Sequence, residues 1–124
     1  MVKPAVRHYS EFRRETTYGG TSLIHQLAKG STLQSVGVDH VEVKPNSELK
    51  PHFHNSPSVL ILILQGRGTV HLNGTRHLVK KGDVLHIPPR TSHGFKTSKA
   101  KLVFLSVQTP AIYGKAARKD THFL

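Results

Sequence analysis

The chain has no cysteine and few acids, and each shortage removes a class of chemistry. Without cysteine there are no disulfides, no thiolate ligands and no cysteine nucleophile. Any bound metal must therefore be held by nitrogen or oxygen. Asp and Glu number 7 against 18 Lys and Arg, a formal charge of +11 with the histidines neutral. From Leu49 to Gly82 there is no acid at all. Long apolar runs are missing too. VLILIL, residues 59–64, falls far short of the roughly 20 residues that span a bilayer. The first 20 residues lack the apolar core of a signal peptide. A chain of 124 residues suits one domain with one modest core. The expectation is a soluble, cytoplasmic protein.

Other signatures are also absent. No phosphate-cradling glycine loop and no nucleophile elbow occur. The excess of positive charge invites a nucleic-acid reading. The basic residues, however, are scattered (13–14, 80–81, 96–101, 115–119), and no helix-turn-helix, zinc-finger or RNA-stacking motif accompanies them. A solvated basic surface that draws in small anions fits better.

What is present is a succession of short strands. TSLIHQLA and LQSVGVDHVEV carry β-branched and alternating residues; in the second, Val41 and Val43 share one face and His40, Glu42 and Lys44 the other. VLILIL, apolar on both faces, reads as a fully buried strand. Asn73-Gly74 between two short runs is the strongest hairpin signal. VLHI ends at Pro88-Pro89, and KLVFLSV is the last clear strand. Ser10 is placed to start one helical turn over residues 10–16. The tail from residue 109 is ambiguous, frayed or docked on a partner. This pattern predicts an antiparallel sandwich or barrel.

There are ten histidines. His52 and His54 lie two apart in extended chain, so both rings point the same way. His93, after a strand and a proline-rich turn, is the best third partner. His71 and His86 lie inside strand patterns, where either could face a lumen as a base or as a partner to a ligand. His8, His25, His40, His77 and His122 read as surface residues.

Two motifs make this arrangement resemble the small single-domain cupins. The family's first motif runs Gly-x5-His-x-His, three or four residues, Glu, six residues, Gly. Here it is NSELKPHFHNSPSVLILILQG, with His52, His54 and Gly66 in place. The second runs Gly-x5-Pro-x-Gly-x2-His-x3-Asn. Here it is GDVLHIPPRTSHGFKT, with Gly82, Pro88 and His93 in place. The resemblance covers about residues 33–108. It implies an all-β fold, the double-stranded β-helix or cupin jelly-roll barrel, with residues 1–20 and 109–124 peripheral. It also implies a divalent metal in the barrel mouth, held by His52, His54 and His93. Fe(II) is favoured by analogy with iron dioxygenases of the family, and Zn, Ni, Cu or Mn are alternatives. A homodimer is expected on the same ground.

Four positions depart from the motifs. Asn46 stands for Gly, a mild change because Asn tolerates left-handed backbone. Arg90 stands for the Gly of Pro-x-Gly, which suggests a different turn type. Thr97 stands for the final Asn and reads as minor. Val59 stands where the family has its glutamate ligand, and no acid nearby can substitute. A metal held by three neutral imidazoles would keep its full double charge and favour a small anionic oxygen ligand, such as an enolate, a 2-hydroxy acid or a 2-oxo acid. By alternation Val59, Ile61 and Ile63 would form an apolar wall beside it, with Phe95 and Phe104 as further pocket lining.

Three functions compete. The first is a metal-dependent enzyme acting on a small oxygen-bearing molecule, dioxygenase ahead of isomerase or lyase, with His71 or His86 as base. The second is a cupin that binds or senses a small ligand without turnover. The third is a metal-free sugar-nucleotide epimerase or isomerase, which needs a tyrosine; Tyr9, Tyr18 and Tyr113 lie outside the core motifs.

Overall fold

The computed structural model describes residues 5–33, 35–111 and 119–123. Eleven strands are seen among them: β1 (Arg14–Thr17), β2 (Ser22–Leu33), β3 (Val36–Val43), β4 (Glu48–Phe53), β5 (Ser58–Gln65), β6 (Arg67–Leu72), β7 (Thr75–Lys80), β8 (Val84–Ile87), β9 (His93–Lys96), β10 (Leu102–Thr109) and β11 (His122–Phe123). They form two antiparallel sheets, β1-β2-β3-β10-β5-β8 and β11-β4-β9-β6-β7. This is the predicted jelly-roll barrel.

The core lies between the sheets because alternation sends every second residue inward. In β3 the buried positions are Gly37, Asp39, Val41 and Val43. In β5 Ile61 and Ile63 are buried, and Phe104 from β10 stacks on Phe95 from β9 with ring centroids 5.0 Å apart, joining the sheets.

Turn chemistry sets the register. Asn73 and Gly74 both have positive φ, 49° and 81°, and Leu72 pairs with Thr75, so the two-residue hairpin forms as expected. Gly66 has φ 84°, and a Cβ there would collide with the Lys101 carbonyl. Only glycine can end β5 at this point. Asn46 adopts φ 52°, as its tolerance of left-handed backbone allows.

Several expectations are corrected. The turn after Pro88-Pro89 is not of another type. Arg90 takes φ 61° and donates its N–H to the His54 carbonyl at 2.6 Å, so the chain accepts strain where two motif segments meet. Thr97 is not minor. Its buried hydroxyl donates to the Lys44 carbonyl at 2.6 Å and accepts from the Ser47 N–H at 3.0 Å, tying β9 to the turn before β4. VLILIL is buried on one face only: Leu60, Leu62 and Leu64 are 47%, 38% and 38% exposed, because the outer face of this sheet has no second layer over β5. In place of a helical turn over 10–16 there is a 3₁₀ turn, Tyr9–Glu11, capped by His8, and then β1. His25 is buried and His40 half-buried, since the Tyr9 ring stacks on His40 at 4.0 Å and meets His25 edge-on at 5.2 Å.

The peripheral segments are structural. β1 extends the larger sheet, and β11 pairs with β4, so the end of the tail docks on its own barrel. Tyr113 and most of the basic run 115–119 lie outside the described residues.

Candidate metal centre and pocket

The three predicted ligands converge. His52 on β4 pairs directly with His93 on β9, and His54 follows β4 by one residue. Their ring centroids lie 4.4 Å (His52–His93), 5.1 Å (His52–His54) and 5.4 Å (His54–His93) apart. One ring nitrogen from each lies within 4.8 Å of the others, close enough to share one ion.

Backbone carbonyls orient all three rings. Nδ1 of His52 bonds to the Lys50 oxygen at 2.8 Å, that of His54 to the Asp120 oxygen at 3.0 Å, and that of His93 to the Thr91 oxygen at 2.9 Å. A carbonyl can only accept, so each Nδ1 carries the proton and each Nε2 is left as the basic nitrogen. Burial pushes the three histidines below their ordinary value, His93 to about 4 with added repulsion from His52. The imidazoles are therefore neutral at neutral pH. Nitrogen donors, fixed tautomers and neutrality fit a divalent transition metal.

No carboxylate joins the three histidines among the described residues. One acid does reach the neighbourhood from far along the chain. Asp120 offers its backbone carbonyl to His54, while its carboxylate accepts the N–H groups of Asn55 at 3.0 Å and Ser56 at 2.9 Å. Although slight desolvation pushes that carboxyl up, these N–H groups bring it below its usual value. Asp120 thus braces the histidine loop and occupies no ligand position. Sequence reasoning missed it because its partners lie more than 60 residues away.

The histidines open onto a cavity of about 640 Å³. Val59, Ile61, Phe95 and Phe104 line it as expected. Ile63 does not; it fills the core. His71 and His86 are corrections. In β6 Val70 takes the inward position, so His71 faces out. In β8 Leu85 and Ile87 are inward, and exposed His86 bonds to the Ser58 hydroxyl at 3.1 Å. Neither histidine lines the cavity.

Sequence reasoning also missed a polar group of residues in this cavity. Glu15, Gln26, Asp39 and Gln108 line it from β1, β2, β3 and β10. The signal was present for Asp39, which shares the parity of Val41 and Val43 and is thus an acid on the apolar face of its strand.

The family model for the cupin domain matches residues 39–108. The chain belongs to the cupin family. This cupin is 32% identical over 87 residues to an uncharacterised protein of Methanocaldococcus jannaschii, covering 68% of this chain and 69% of that one. It is 30% identical over 86 residues to the dimethylsulfoniopropionate lyase DddW of Ruegeria pomeroyi, covering 69% and 51%. Its matches span only 51–69% of its curated relatives' own lengths, about half in two of them. Among solved structures, ectoine synthase from P. lautus superposes with a TM-score of 0.79 at 14% identity, covering 98% of this chain and 90% of that one. That likeness is one of fold.

Proposed function

We propose that this cupin is a metal-dependent enzyme acting on a small, oxygen-bearing anion. The observation that carries the reading is the set of three neutral, carbonyl-oriented imidazoles at the mouth of a largely apolar cavity. A divalent ion held there would supply Lewis-acid polarisation of a substrate oxygen, undiminished by any ligand carboxylate. Fe(II) keeps its place by family analogy, with Zn, Ni, Cu and Mn as alternatives. The apolar wall of Val59, Ile61, Phe95 and Phe104 excludes water and shapes the substrate's carbon skeleton.

Within this class, isomerisation and elimination now stand ahead of oxygen insertion. The cavity is lined by acids as well as by the histidines, groups suited to proton movement, and one relative is named a lyase. Oxygen-electrode and product analysis of metal-loaded protein on small 2-oxo and 2-hydroxy acids tests this. Product without oxygen uptake supports it. Stoichiometric uptake would restore the dioxygenase reading, and ligand-induced stabilisation with no product would establish a binding module instead. The metal-free epimerase reading loses its tyrosine among the described side chains, since Tyr9 stacks on His40 on the outer face.

We also propose a homodimer. Leu60, Leu62 and Leu64, with Val84 beside them, form an exposed apolar strip on the larger sheet that suits a second copy.

A further inference from the structure

The polar group lining the cavity contains a carboxyl whose hydrogen bonding is incomplete. Asp39 is only 8% exposed, and it sits on the cavity face of β3. Its Oδ2 accepts from the Gln108 amide at 3.3 Å, while its Oδ1 is buried with no hydrogen-bond partner. Gln26, its cross-strand neighbour on β2, gives its amide to Glu15 at 2.9 Å instead. An unpaired buried carboxylate oxygen costs stability, which marks this carboxyl as one that a partner in the cavity would stabilise.

We propose that Asp39 is the proton-transfer residue of this pocket, its carboxylate acting on a carbon acid, a small 2-oxo acid, whose oxygens are held by the histidine cluster. This rests on the reading of the pocket as an enzyme site. In the step, an oxygen of the Asp39 carboxylate forms a bond to the proton on the carbon next to the carbonyl. The C–H electron pair becomes the C=C bond of the enolate, and the carbonyl π pair moves to oxygen. The same proton, or one exchanged from solvent, returns to carbon and regenerates the carboxylate. Nothing is oxidised or reduced.

The surroundings suit that task. Asp39 is faced by Glu15 from β1, by Gln26 from β2, and by Ser106 and Gln108 from β10. Burial first, and then the charge of Glu15, raise its carboxyl from the usual range to about 7, so both protonation states are populated near neutral pH.

The test is hydrogen exchange in D₂O. Metal-loaded protein is incubated with pyruvate and 2-oxobutyrate, and loss of the C3 proton signal is followed by NMR. Metal content is measured in parallel for the wild type, Asp39→Asn, Asp39→Glu and His52→Ala. The expected result is a loss of about 100-fold or more in Asp39→Asn, with unchanged metal content and partial recovery in Asp39→Glu. The wild-type rate should rise with pH through about 7, and this rise should be missing in the Asn variant. Exchange by Asp39→Asn at the wild-type rate overturns the proposal, as does absence of exchange by the metal-loaded wild type. If His52→Ala exchanges normally while Asp39→Asn does not, Asp39 keeps its role and the metal-dependent reading fails.

Discussion

At the scale of single residues, the site is built on groups held away from their preferred states. Arg90 occupies left-handed backbone that glycine adopts freely, at φ 61°. Arg90→Gly should stabilise the protein by roughly 1 kcal/mol, read as a higher midpoint in urea denaturation. The buried titratable groups pull stability in opposite directions with pH. His93 has a folded pKa of about 4 against an ordinary 6.5, so between those values the unfolded chain binds more protons. Its contribution is present above pH 6.5 and is lost as pH falls toward 4. His52 and His54 act in the same sense. Asp39, raised from 3.8 to about 7, does the reverse: its contribution is present at low pH and is lost as pH rises through 7. Thermal melts of chelator-treated protein should therefore show the wild type weakening below about pH 6.5. Asp39→Asn should melt above the wild type at pH 8, by a margin that shrinks toward pH 4.

At the scale of elements, the hinge of the site is the loop between β4 and β5. Arg90 holds it from one side and Asp120 from the other. Asp120→Ala removes the acceptor for two exposed backbone N–H groups and should cost about 1 kcal/mol. The variant should also expose β11 to proteolysis, which limited digestion followed by mass spectrometry will show. This arrangement marks the boundary of what the sequence made legible. His52 and His54 were readable because alternation is local, and His93 because the motif spacing is specific. Asn73-Gly74 was readable because its turn type admits few residues. The bracing by Asp120 was not, because a carboxylate reaching across the whole chain leaves no local pattern. The exposed face of β5 was not either: six apolar residues look the same whether a second layer covers them or not.

At the scale of the whole molecule, the two sheets give the cavity two unlike walls. The smaller sheet carries the histidines and Phe95, and the larger one carries Asp39 beside Val59, Ile61 and Phe104. That division explains why the motif positions marked only half of the pocket. Both cupin motifs carry the histidines, while Asp39 and Glu15 precede them in the chain. The outer face of the larger sheet bears the Leu60–Leu62–Leu64 strip. Light scattering at micromolar concentration should give the mass of a dimer, and Leu62→Glu should shift it to that of a monomer. A monomeric wild type would remove the strip's proposed partner.

The proposed activity depends most on the three histidines acting together as one metal site. Elemental analysis of the purified protein, beside a His93→Ala variant prepared identically, tests this most directly. Stoichiometric metal in the wild type and only traces in the variant is the predicted result. No metal in either protein, or equal metal in both, would contradict it.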